Sequence, residues 1–576
     1  MMPGNGRTFG ARPIISVDGR QLEAAVQACV RQVTVDSDEG GPDSCRVVFD
    51  DPARDLLRRS GIDLHATVEV SAGRTGEQVG EAVFEGLVYH LGFEYDDRGA
   101  FTTLVAYDGS YGLYNGVHTT TYQNVADSDL ATQLARAAGL KVGTITPTSV
   151  VHDHLAQVNE THWQLLTRRA REIDFTVRVV GGALDFMQSA EADGAPEPGD
   201  YQGTDRLALV PGGNLEQLSA RVSAAQQVAE VEVRGWDPEH KRALVATAPA
   251  RTRSAKLADE PDTTAGRFGT SRHVTVDLPL TDQAECDAVA AAQAERLAST
   301  FVHAEGVARG DPRIVAGAAV SLGRTGGRFD GKVTVSRARH MWDHRGYRTS
   351  FTVSGRHDRS LLGLVTGEDR RPGGQPVAGL VVGIVTNVAD PDARGRVKLR
   401  LPWLSDDYES DWVRVLQLGA GADRGLVLLP EVDDEVLVGF EQGDTRRPYV
   451  LGGLYNGVDP PPVEAVDTGA GVVNVRAFRS RKGHEVLFTD TDGTESIAIN
   501  AAGKKVTLVL DAANKALRIE AEGDVEIHAK GNAKVTADKD FTLHGDGKGT
   551  VSAGRGLTLD GGSGDVVVTG TTIKLN

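Results

Sequence analysis

Three places in the sequence hold residue types that catalysis or ligand binding uses. Gly326, Gly331 and Lys332 have the spacing of a phosphate-binding loop, in which backbone N–H groups cradle phosphate and the lysine neutralises it. Val333, however, stands where a magnesium-binding Ser or Thr is required, and the residues after it alternate like a strand where a helix is needed. Nucleotide binding is not expected there. His484-Glu485 opens like the helix of a zinc protease, but Phe488 replaces the second histidine, so a strand is expected instead. His152, His154 and His162 are spaced so that a strand-to-helix transition could gather them around a metal. Without a neighbouring cysteine or an evident fourth ligand, hydrogen-bonding histidines are the expectation. A G-x-S-x-G elbow is absent, and abundant carboxylates are no evidence for a hydrolase unless a pair can be placed. The expectation is no catalytic residue, no metal and no cofactor.

The elements that would position any such group are short strands and turns. Gly is frequent at 68 residues and aromatics make up only 5%, a balance that favours β structure with many turns. The formal net charge of −18 opposes a general nucleic-acid binder, which needs a basic footprint to displace counterions. Cys29, Cys45 and Cys286 are odd in number and lack C-x-x-C spacing, so buried thiols are expected rather than disulfides or a zinc knuckle. Residues 1–20 contain no apolar h-region, and no run of 18 apolar residues occurs. Synthesis in the cytoplasm without a signal peptide is therefore expected.

The strongest periodicity lies at the C-terminal end. Blocks of eight starting at Gly523, Gly531, Lys539, Gly547, Arg555, Ser563 and Thr571 place Ile527, Val535, Leu543, Val551, Leu559, Val567 and Leu575 at the fifth position, and Ile519 continues the series upstream. Every one is a branched aliphatic. Two residues later stand Ala529, Ala537, Gly545, Ala553, Gly561 and Thr569. Residues i, i+2 and i+4 share one face of a strand, so each block reads as one short strand. A single such strand cannot bury its apolar face, so the blocks must stack, either as a monomeric solenoid or as several chains wrapped into a narrow prism. The period alone leaves both open.

Residues 1–365 mix strands with capped helices and read as α+β. Asp127 or Ser128 is expected to cap a helix that passes Leu130, Leu134 and Ala138 and stops at Gly139. Asn159 is expected to open a second helix containing Trp163, Leu166, Ala170 and Ile173, and Thr281 a third that runs toward Phe301. Residues 366–377 are polar and Gly-rich, a linker. From 378 to 462 come five short strands, the pattern of a small closed OB-type barrel. This stretch holds 8 Arg or Lys against 14 Asp or Glu, the reverse of a phosphate-backbone groove, so a structural collar is expected.

The barrel residues are also recognisable as a motif set. Gly379-Leu380-Val381-Val382-Gly383-Ile384-Val385-Thr386-Asn387, Asp390-Pro391-Asp392, Gly395-Arg396-Val397-Lys398, Leu401-Pro402-Trp403-Leu404-Ser405 and Ser410-Asp411-Trp412-Val413-Arg414-Val415 resemble the VgrG and gene-5-type spike family of contractile injection machines. So do Leu429-Pro430-Glu431-Val432-Asp433-Asp434-Glu435-Val436 and Arg447-Pro448-Tyr449-Val450-Leu451-Gly452. Upstream, Tyr107-Asp108-Gly109-Ser110-Tyr111, Asn159-Glu160-Thr161-His162-Trp163 and Asp358-Arg359-Ser360-Leu361-Leu362 look like the gene-27-type hub, with His162 where the family more often has Asp. Phe478-Arg479-Ser480-Arg481-Lys482-Gly483 and Asp490-Thr491-Asp492-Gly493 look like the neck that leads into a trimeric prism.

The resemblance implies a mainly β chain with an α+β hub: a gene-27-like tube-docking hub (1–365), linker (366–377), OB barrel (378–462), neck (463–514) and intertwined trimeric β-prism (515–576). It implies a homotrimer, seated on a hexameric inner tube protein among baseplate proteins, with a PAAR-type tip protein docked on Thr572, Ile573, Lys574, Leu575 and Asn576, and with cargo effectors as further partners. Seven blocks at ~4.8 Å per strand give a needle of roughly 35 Å. The look is closest to the spike of an extracellular phage-tail-like particle. An enzyme-bearing spike is the alternative; only about 55 residues separate the barrel from the clear prism blocks, and neck motifs occupy them, so no catalytic domain is expected.

Overall fold

The computed structural model describes residues 9–74, 80–199, 207–269, 271–356, 379–402 and 409–574. The linker at 366–377, the hub motif at 358–362, the barrel residues 403–405 and the terminal Leu575 and Asn576 lie outside them. Contacts divide the chain into two units, Met1–Gly457 and Val458–Asn576.

The first unit is built on an eleven-stranded antiparallel sheet that draws strands from both ends of the hub. Its middle strands are Arg337–Asp343, Val30–Asp38 and Ser44–Asp50, so residues some 300 apart in sequence pair directly, as His340 does with Val35. Alternation explains the register: Val33, Val35, Cys45, Val47 and Phe49 all point inward and are fully buried. Tyr347 and Trp342 stack on this core at 4.1 Å between ring centroids.

The helices follow the apolar spacing but not every cap follows the sequence reading. The first runs Asp127–Ala137 and ends through Gly139 at φ 73, with Leu140 N donating to Ala135 O at 2.9 Å. Its N-cap is Ala126; the two expected caps, Asp127 and Ser128, both lie inside the helix and are buried, Asp127 being directed to Arg169. The second spans His162–Glu172 and is capped by Thr161, whose side chain exchanges hydrogen bonds with Gln164 in a capping box. Asn159, expected to open it, instead sits at φ 50 near the end of the strand Val151–Glu160. Asp282 rather than Thr281 caps the third, Gln283–Ser299, by accepting from Ala284 N and Glu285 N.

The barrel forms a five-stranded sheet in the order Lys398–Arg400, Leu380–Asn387, Glu435–Phe440, Pro448–Gly453 and Arg414–Val415. Val385, Leu399, Val436, Val438 and Val450 fill its interior, and the hub strand Val151–Glu160 adds Ala156 to the same cluster. Hub and barrel therefore share a core.

The second unit contains an antiparallel meander of five strands, Val475–Arg479, Glu485–Thr489, Ser496–Asn500, Val506–Asp511 and Ala516–Ala521. Beyond Ala521 the described residues form no strand. Among the described residues of this segment the one backbone-to-backbone bond is the local turn from Gly564 N to Gly561 O, so no ladder joins block to block. The strands expected there are not formed among the described residues, which make no hydrogen-bonded ladder beyond Ala521.

Candidate assembly surfaces

None of the chemistry-bearing motifs assembles a reactive centre among the described residues. Gly326 and Gly327 make a turn at positive φ, Asp330 accepts from Thr325 N and Gly327 N, and Lys332 Nζ lies 2.8 Å from Glu197 on a strand. The loop's own carboxylate occupies the backbone donors that phosphate would need. His484 precedes the strand Glu485–Thr489; its Nδ1 accepts from Ala502 N at 3.2 Å, and Glu485 accepts from Asn500 Nδ2 at 3.0 Å. The three histidines go separate ways. His162 stacks face to face on His118 at 4.0 Å, His154 is buried with its pKa lowered by desolvation, and His152 joins an ion cluster. Among the described residues no group of three His, Cys, Asp or Glu could hold a metal ion.

That ion cluster is a feature the sequence reading did not find. Arg169 is fully buried on the helix His162–Glu172. Its Nε donates to Asp127 Oδ1 at 2.7 Å, Nη2 donates to His152 Nε2 at 2.8 Å, and Nη1 pairs with Glu172. The guanidinium holds the Asp127 carboxyl well below the usual carboxylate range against the cost of its burial. Nearby, Arg446 of the barrel pairs with its own Asp444 at 2.8 Å and with Glu285 of the hub helix at 3.4 Å. Arg447 donates to Pro279 O at 3.2 Å, and Gln442 Nε2 to Val276 O at 3.0 Å. Together these bonds fix the barrel on the hub.

Two surfaces are exposed although their residues are of core type. Strand register in the meander puts Phe478, Val486, Phe488, Ile497, Ile499, Leu508, Leu510, Leu517 and Ile519 on one face. Arg479, Glu485, Asn500, Thr507 and Glu520 lie on the other. Ile519, counted with the prism blocks from sequence, thus stands on the meander's last strand, paired with Leu508. Downstream, the fifth-position residues of the octads range from 68% exposed at Leu559 to 85% at Ile527, with Val535, Leu543, Val551 and Val567 between. Thr572, Ile573 and Lys574 are exposed as well.

The barrel segment 381–455 matches the type VI secretion system/phage-baseplate injector OB domain. The chain is similar to the type VI secretion system spike protein VgrG2a of Pseudomonas aeruginosa, 30% identical over 129 residues, which are 22% of this chain and 15% of that protein. It is likewise similar to the actin cross-linking toxin VgrG1 of Vibrio cholerae, 30% identical over 131 residues, 22% of this chain and 12% of that one. These matches span less than a quarter of the relatives' length. The Francisella PdpA–VgrG complex has a chain of like fold, with a TM-score of 0.50 and 8% identity over 88% of this chain and 87% of that one. In its barrel and in its overall fold the chain is thus VgrG-like. Residues 15–343 match the Alg8 N-terminal domain, and the chain belongs to that family.

Proposed function

We propose that three copies of this chain form the central spike of a contractile injection baseplate, joining the inner tube to a puncturing tip. The observation that carries this reading is the run of branched aliphatics, one every eight residues, that stands exposed in the single chain. Each contributes about 2 kcal/mol of transfer free energy when covered, and a surface this apolar is not left in water by a soluble protein. Copies of the same segment cover one another with matching period, and a closed prism has no sheet edge along its length. The hub docks on the hexameric tube among the baseplate proteins, the barrel is a collar, and residues 572–576 carry a PAAR-type tip protein. Cargo effectors ride on the same assembly; nucleic acid is not a partner. The protein is made in the cytoplasm and leaves the cell with the particle or on its contraction. Among the described residues no helix is long and apolar enough to cross a membrane.

The spike works without catalysis of its own, and any toxic activity belongs to cargo. A relative is named as an actin cross-linking toxin, so an enzyme-bearing spike is the second reading; only about 55 residues lie between the barrel and the clear prism blocks, and this favours the first. Electron microscopy of particles from the producing cells, labelled for this protein, tests the placement. Label at one end of a tube, at the baseplate, is expected; label absent from tubular particles would contradict it.

A further inference from the structure

The barrel carries two apolar surface patches of unlike shape. One is an arm, residues 416–432, that leaves the wall after Val415. It is hydrogen-bonded rather than slack: Ala420–Gly421 pairs antiparallel with Arg424–Gly425, and Leu426 N donates to Gly419 O at 3.0 Å. The amide of Gln417 binds both backbone groups of Leu428, at 3.2 and 2.9 Å. Yet Leu418 on this ordered arm is 89% exposed and Val427 77%. The second patch is a shallow seat on the outer wall, where Leu380, Val382 and Leu451 are exposed around Gly439. A Cβ on Gly439 would meet Leu380 Cδ2 at 3.2 Å and Leu451 Cδ1 at 3.5 Å, so two leucines flank a floor with no side chain.

We propose that the arm of one copy docks in the Leu380–Gly439–Leu451 seat of the next, making the barrel's share of the trimer contact. This rests on the trimer reading above. A threefold ring needs a heterologous contact that joins two different patches of the same chain, one protruding and one receiving, and such contacts close when the rotation allows. Charge selects the same occupant. The chain carries −18, so a second copy is repelled by most of the surface, whereas the arm holds only Asp423, Arg424 and Glu431 among its 17 residues. An apolar knob with a net charge of only −1 and an apolar seat without charged residues are where two acidic copies meet at least cost.

The test uses the full chain with Cys29→Ser, since Cys45 and Cys286 are buried. Leu418→Cys and Leu380→Cys are co-expressed on differently tagged chains and treated with a short bis-maleimide; both sites are exposed, so neither change removes core packing. A linked dimer carrying both tags on a denaturing gel is expected. Absence of that band, in protein whose native mass is three chains, would overturn the arm-and-seat contact and leave the trimer standing. Linkage confined to Leu418→Cys chains would place arm against arm and overturn the seat. A native mass of one chain would overturn both readings.

Discussion

Arg446 and Arg394 both reach from barrel to hub, and their surroundings give them different weights. Arg446 is almost enclosed, with Asp444 and Glu285 as partners, whereas Arg394 meets Glu239 at 2.9 Å with both side chains about half exposed. Removing one member of a buried pair leaves uncompensated charge and costs ~3–5 kcal/mol, while an exposed pair contributes under ~1 kcal/mol. Arg446→Met is therefore expected to lower the urea midpoint of the first unit strongly, and Arg394→Met hardly at all. Equal effects would show that the joint is not held by its buried charges. His340 supplies a pH dependence. It is fully buried beside Tyr347 and Thr349, and burial lowers its pKa to about 4. An imidazole with a depressed folded pKa favours folding above its unfolded pKa of ~6.5, and that contribution fades as pH falls toward the folded value, by about 3 kcal/mol. The parent's denaturation midpoint should fall relative to that of His340→Gln between pH 7 and pH 4; parallel curves would contradict this. The sequence gives no sign of either residue's role, because a buried arginine and a solvated one look alike until residues 161 apart are brought together.

Elements are where the sequence is most legible, since strand and helix periods depend on local residue order. The barrel strands and the three helices follow from alternation or helical spacing, whereas the strands expected in the octads do not form among the described residues. The helix caps depart from expectation by one or two residues, and Asn159 and Asp127 meet competing demands: one turns the end of a strand, the other neutralises Arg169. The octads invite a direct test of inward and outward faces. Leu543→Asp would bring three carboxylates together on a dry axis without partners, whereas Thr542→Asp points outward and is tolerated. Loss of the denaturant-resistant trimer band for the first variant only is expected, and equal behaviour would mean the strand register is wrong. At the tip, deleting residues 571–576 is expected to leave the trimer intact and abolish pull-down of a PAAR-type protein. Undiminished capture would place that docking surface elsewhere.

For the whole molecule, the barrel motifs convey the likeness to the phage-baseplate injector OB domain, and the apolar period conveys that the C-terminal blocks must stack, without fixing the number of chains. What the sequence conceals is how firmly hub and barrel are joined. Read as two domains either side of a linker, they share Ala156 in one core and are tied by Arg446 and Arg447. Assembly is tested most directly by the mass of the purified chain in light scattering at micromolar concentration. Three times 61.1 kDa is predicted, held across dilution. A stable particle of one chain, with its octad residues left in water, would contradict it.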